Sequence, residues 1–244
     1  MIRRFFNRIH EAEKRWSKSY GTDISTPRGR RQAVWHYHLA DHGFLRVFWT
    51  NLFEIAPGVW RSNQPSARRL RRYREMGIRT ILNLRGVDRY SFYLFEREAA
   101  DRLGIEMIDI KIYARHLVPR EQFMKLFSLF DRIERPFVLH CKSGADRAGL
   151  VSALWLLDQE NRPVEEAQRQ LHWRYAHLKG TRTGILDHLL QAYADDNAES
   201  PIGIRDWFAT RYDPEALTRS FETAPRTGPN GPAAARRRAV TGPK

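Results

Sequence analysis

At 244 residues with 42% hydrophobic content, the chain has room for one domain with extensions or at most two small domains, and its single cysteine excludes an internal disulfide. Lys and Arg number 42 against 28 Asp and Glu, a formal charge of +14 that points to an anionic partner: nucleic acid, an anionic membrane surface or a phosphorylated substrate. No apolar run approaches the roughly 18 residues of a membrane span, and the lone cysteine has no neighbouring soft ligands for a structural zinc site.

Residues 1–56 read as a basic, partly helical extension. Within it Ile2, Phe5, Phe6, Ile9 and Trp16 fall at helical spacing, with Arg3, Arg4, Arg8, Lys14 and Arg15 mostly elsewhere. A helix packed on its own domain and a helix lying on an anionic membrane both fit this pattern. No apolar run follows Arg3-Arg4, so an export signal is not expected.

From Pro57 the elements become regular. Ser66 is a candidate N-cap for a helix carrying Leu70, Tyr73 and Met76 and stopping at Gly77. The β-branched, apolar run 78–84 predicts a strand, and a helix over 90–103 ends at Gly104. Residues 105–112 alternate as a second strand. Pro119 opens a helix with Phe123, Leu126, Phe127, Phe130 and Ile133 on one face, and residues 136–140 predict a buried strand. After Arg147 comes a buried helix, then one beginning at Pro163 and another over 184–194. Residues 196–224 continue as a C-terminal helical segment. From Pro225 the basic tail is rich in Pro, Gly and Ala and contains no acid, so disorder is expected over 225–244. Alternating strands and helices imply an α/β fold, a mostly parallel central sheet flanked by helices in three layers.

Ligands in such sheets bind beyond the carboxyl ends of the strands. Three exits become candidates together: Arg85 with Asp88, Tyr113 to His116, and Cys141. The third is the richest, because in "HCKSGADRAG" a strand ends at His140, the loop from Cys141 contains Lys142, Ser143, Gly144 and Ala145, and a helix begins near Arg147. Loop amides and a helix N-terminus form an anion cradle and favour a thiolate at Cys141, while Arg147 offers a planar fork for two phosphate oxygens. A thiolate beside a bound phosphate implies a phosphocysteine intermediate, later split by water.

The stretch His, Cys, five residues, Arg resembles the signature loop of the cysteine-dependent protein tyrosine phosphatase superfamily. The preceding "GVWRSNQPSARRLRRYREMGIRTILNLRG" is similar to the opening of its atypical dual-specificity branch, found in plants, fungi and many bacteria. The resemblance covers residues 57–195, taken as the phosphatase domain, and is specific at the loop. It implies a dual-specificity phosphatase-like fold, hydrolysis of phosphate monoesters, and neither metal nor other cofactor.

Two positions depart from the family. Ala148 stands where a Ser or Thr commonly eases departure of the thiolate, so slow breakdown of the intermediate is expected. The family's general-acid Asp is missing from residues 113–121, which leaves Asp146, favoured for its place in the cradle, and Asp88, equally readable as a helix cap. Substrate contacts are expected from Lys142, Ser143, Gly144, Ala145, Ala148 and Arg85. The expected substrate is a phosphorylated protein or an inositol-type phosphate, with a membrane phospholipid as the rival. A catalytically silent phosphoanion-binding module is the alternative from another class. Nucleic acid is not expected, for no reading element accompanies the basic charge. The expected compartment is the cytoplasm, with peripheral attachment at the inner membrane surface as a variant.

Overall fold

A five-stranded sheet organises residues 20–223, the part of the chain that the computed structural model describes. The apolar stripe at 2–16 and the tail from Pro225 lie outside the described residues. The strands are β1 (Phe53–Ala56), β2 (Val59–Asn63), β3 (Thr80–Asn83), β4 (Glu106–Asp109) and β5 (Phe137–Cys141), in the spatial order β1-β2-β5-β3-β4. Only β1 runs antiparallel, joined to β2 through Pro57-Gly58; the other pairings are parallel. The boundary expected at Pro57 thus falls on a hairpin turn, and the sheet takes in residues 53–56 of the expected extension.

The helices are α1 (Pro27–Trp35), which continues into a π-helical stretch (His36–Ala40), α2 (Leu45–Phe48), α3 (Ala67–Glu75), α4 (Ser91–Leu103), α5 (Arg120–Phe130), α6 (Asp146–Asp158), α7 (Val164–Gln168), α8 (Ile185–Glu199), α9 (Ile204–Thr210) and α10 (Pro214–Thr223). Their ends follow the local chemistry. Ser66 caps α3 by accepting from the Arg69 amide at 3.4 Å, and Gly104 closes α4 with φ +61°, a conformation that costs glycine little. Pro119 and Pro163 stand immediately before α5 and α7.

Strand β5 lies at the centre and is buried along its whole length. Phe137 and Leu139 join a core with Phe123 and Phe127 of α5, Trp155 of α6, Leu189 of α8 and Trp207 of α9. Val138, on the opposite pleat, packs with Ile81, Leu70 and Tyr73 of α3, and Phe92 of α4. Helices therefore cover both faces, which is why this strand reads as unbroken apolar sequence rather than as an alternation. In register, Cys141 pairs with Asn63 and His140 with Asn83, so β2, β3 and β5 end along one edge of the sheet. The preceding segment is fastened there too: Arg30 grips both carboxylate oxygens of Glu98 at 3.0 and 2.8 Å, and Asn51 Nδ2 donates to the carbonyls of Ser143 and Tyr175, each at 3.0 Å.

Candidate active site

Cys141 closes β5, the loop 142–145 follows, and Asp146 opens α6. The thiol is 1% exposed, and the Gly144 amide donates to its Sγ at 3.3 Å. Gly144 has φ +74°, and a Cβ there would sit 2.8 Å from the backbone of Ser62 and Asn63. Both the turn and the approach to β2 therefore require glycine.

Beneath the loop lies Arg61, a fully buried arginine that sequence reasoning missed. Its Nη2 donates to the carbonyls of Gly144 and Ala145 at 2.7 and 3.2 Å, and Nη1 donates to the Gln170 carbonyl and Oε1, both at 2.8 Å. Its guanidinium carbon stands 3.9 Å from the Tyr175 ring centroid. Burial pushes its pKa down to about 10, against the opposing pull of Tyr175, Cys141 and Asp146, so it is a cation at neutral pH. With two loop carbonyls turned onto Arg61, the loop is held in one conformation around the sulfur. The signal was there to read: a charged residue inside a strand is buried only when satisfied.

Arg147, in the first turn of α6, lines a cavity of about 780 Å³ together with Lys142, Ser143 and Asp146. Its Nε is buried without a hydrogen-bond partner among the described residues, while the residue itself lines the cavity. Opposite walls come from Tyr113, Arg115 and His116 after β4, from Leu45, Arg46 and Trp49, and from Arg182 and Phe221. Two of the three expected strand exits thus meet at the cavity. His116 is exposed and forms part of its wall.

The first exit does not contribute. Arg85, expected to bind substrate, is buried, with its guanidinium 2.8 Å from Asp41 Oδ1 and 2.8 Å from Gln64 Oε1. It acts at one remove, because Asp41 also receives Arg46 Nη2 at 2.7 Å and lies 3.5 Å from Lys142 Nζ. Burial opposes the Asp41 charge, but Arg85, Arg46 and Lys142 outweigh it and hold the carboxyl well below the usual carboxylate range. Burial, with Arg85 and Arg46 nearby, lowers the pKa of Lys142 despite Asp41. Asp88 lies outside the cavity wall, and its Oδ1 accepts from the amides of Arg89 and Tyr90 at 2.7 and 3.3 Å in the turn before α4, whose N-cap is Tyr90, so it does not cap the helix. Ala148 is fully buried in the core, and Ala145 is 2% exposed with its amide directed to Ser143 Oγ at 3.3 Å; neither side chain reaches the cavity.

Asp146 is placed otherwise. It lines the cavity and accepts from His177 Nδ1 at 2.8 Å, while His177 Nε2 donates to Asp187 Oδ2 at 2.6 Å. Burial of His177 disfavours its charge, but the hydrogen bonds to Asp146 and Asp187 and their negative charges prevail and push its pKa up to about 9. The imidazole is a protonated bridge between two carboxylates. His140 is fully buried, with Nε2 2.8 Å from Glu96 Oε1 and Nδ1 3.3 Å from the Cys141 carbonyl oxygen. Among the described residues no group of three His, Cys, Asp or Glu side chains is arranged to hold a metal ion.

A thiol at a strand end, a fork-shaped cation on the cavity wall and a carboxylate backed by an imidazolium can together receive a tetrahedral oxyanion and move a proton beside it. The family PTP-NADK, described as DSP-PTPase phosphatase fused to NAD+ kinase, matches residues 52–183. No curated protein matches. Among solved structures, the chain is similar to TpbA of P. aeruginosa, at 17% identity over 71% of this chain and 92% of that one, with a TM-score of 0.47. It is also similar to the core catalytic domain of the PP-IP phosphatase SIW14 from S. cerevisiae in complex with citrate, at 17% identity over 62% and 94% of the two chains, with a TM-score of 0.46.

Proposed function

The chain belongs to the PTP-NADK family of phosphatases, in the atypical dual-specificity part of the protein tyrosine phosphatase superfamily, and from that premise we propose that it hydrolyses phosphate monoesters through a phosphocysteine at Cys141. The observation that carries the reading is the Arg147 guanidinium, its Nε buried and unpartnered, on the cavity wall beside the loop that follows Cys141.

In the first step the Cys141 thiolate attacks phosphorus, the P–O bond to the alcohol breaks, and Arg147 grips two of the equatorial oxygens. The proton on His177 Nδ1 passes to the departing oxygen through Asp146, to which it is already hydrogen-bonded, leaving a neutral imidazole and Asp146 ionised. In the second step water attacks phosphorus, the S–P bond breaks and the thiolate leaves, and the water's proton returns through Asp146 to His177 Nδ1, which restores the starting state. With Ala148 buried behind the loop, no hydroxyl follows the arginine, and this second step is the slower one. Lys142, Arg115, Arg182 and Arg147 against Asp146 and Glu222 leave the cavity wall basic, which suits a monoester whose remainder carries further negative charge, such as an inositol-type phosphate or an acidic phosphopeptide. The phosphatase domain proper is taken as 57–195 together with the β1 hairpin strand.

Hydrolysis of p-nitrophenyl phosphate, compared between the parent chain and Cys141→Ser, tests the reading. Turnover is expected in the parent alone. Retained vanadate binding without turnover in the parent would replace the enzyme by a phosphoanion-binding module.

A further inference from the structure

Between α1 and β1 the chain exposes large apolar side chains that folding leaves uncovered. Trp35 is 63% exposed, Leu39 48%, Phe44 47%, Leu45 53%, Phe48 91% and Trp49 39%. A phenylalanine left 91% in water forgoes most of the roughly 1.5–3 kcal/mol that burying such a side chain returns. Isolated exposed apolar residues are ordinary, but six within fifteen positions are a surface.

The segment carrying them is held in place. Asp41 ties it to Arg85 and, through Arg46, to itself; Asn51 ties its end to the loop after Cys141; and Arg30 ties α1 to Glu98 on α4. Leu45 and Trp49 also line the cavity, so the apolar surface runs up to the mouth of the site. The charges around it have one dominant sign: Arg28 and Arg31 are exposed on α1, while Arg115, Arg182 and Lys142 stand on the cavity wall. Within residues 20–51 the two acids are Asp23 and Asp41, and Asp41 is buried among cations. Aromatic and aliphatic side chains beside basic ones, on a chain of net charge +14, match the boundary between acyl chains and anionic headgroups.

We propose that residues 34–49 form a docking surface for an anionic lipid bilayer, with Phe44 and Phe48 entering the interface and the cavity mouth turned toward the headgroups. The docking stands apart from the chemistry at Cys141, and it does not depend on the N-terminal apolar stripe.

The test uses the full chain and its Phe44→Ser/Phe48→Ser double variant, sedimented with vesicles of phosphatidylcholine alone or mixed with phosphatidylglycerol. The parent is expected to bind the mixed vesicles and to release as salt rises, since charge attraction is screened over about 10 Å at 0.1 M salt. The double variant is expected to bind at least about tenfold more weakly. Neither phenylalanine lines the cavity, so p-nitrophenyl phosphate turnover and melting temperature should match the parent, showing that the fold is intact. Equal vesicle binding by the two chains, or no binding by the parent, would overturn the proposal. A parent dimer that the variant dissolves, without vesicle binding, would overturn it as well and assign the surface to a second copy. Vesicle binding by a parent inactive on p-nitrophenyl phosphate would sustain the docking and count against the phosphatase reading alone.

Discussion

Replacing His177 by asparagine removes the cation between Asp146 and Asp187 and should change how stability depends on pH. The imidazole is 2% exposed and bonded to both carboxylates, at 2.8 and 2.6 Å, with its pKa raised from 6.5 to about 9. A group whose pKa is higher in the folded than in the unfolded chain binds its proton more tightly when folded. Its contribution is therefore fully present below pH 6.5 and lost as pH rises through about 9. At about 1.4 kcal/mol per pH unit the contribution is on the order of 3 kcal/mol. Urea unfolding of the parent and of His177→Asn, measured at about pH 6 and about pH 9.5, isolates it, because every other titrating group is common to both chains. The gap between the two should shrink by about 3 kcal/mol at the higher pH. Parallel pH profiles for the parent and His177→Asn would refute the bridge. The same variant tests the proton path: kcat/KM of the parent should decline above about pH 9 as the imidazolium is lost, and the variant should lack that limb.

Arg61→Met removes the donor to the Gly144 and Gln170 carbonyls and should cost about 3 kcal/mol, read by urea unfolding, with phosphate binding weakened alongside. Gly144→Ala demands φ +74° of an alanine whose Cβ would lie 2.8 Å from β2 backbone, so a loss on the order of 1–3 kcal/mol and near-complete loss of turnover are expected. Arg147→Lys should lower kcat/KM at least about tenfold with stability unchanged, because an ammonium cannot grip two oxygens at once.

The parallel core of the fold was legible because its elements carry strong local signals. Ser66, Gly104 and Pro119 mark helix ends, and the runs ending at Asn83 and Cys141 are apolar on both pleats. The β1–β2 hairpin was not, since β2 contains Arg61, Ser62 and Asn63, polar residues whose burial depends on partners more than a hundred positions away or on the neighbouring strand. At the site, the grouping of Cys141, Lys142, Ser143, Asp146 and Arg147 follows from one short loop and needs no distant information. Arg85 illustrates the limit. Its place after β3 suggested the cavity, but Asp41, from a segment with no strong local signal, draws it inward. His177 and Asp187 were missed for the same reason: each is unremarkable alone, and only the packing of the chain before α8 against the start of α6 makes them a bridge to Asp146.

The central claim is a covalent bond between phosphorus and the Cys141 sulfur. Mixing the protein with a ³²P-labelled phosphomonoester, quenching in acid within the first turnover and mapping the label by peptide mass spectrometry tests it directly. The account predicts a phosphoryl group on the peptide containing Cys141, approaching one per chain because Ala148 leaves the second step slow, and none in Cys141→Ser. Steady turnover with no label on that peptide, or label on another residue, would contradict it.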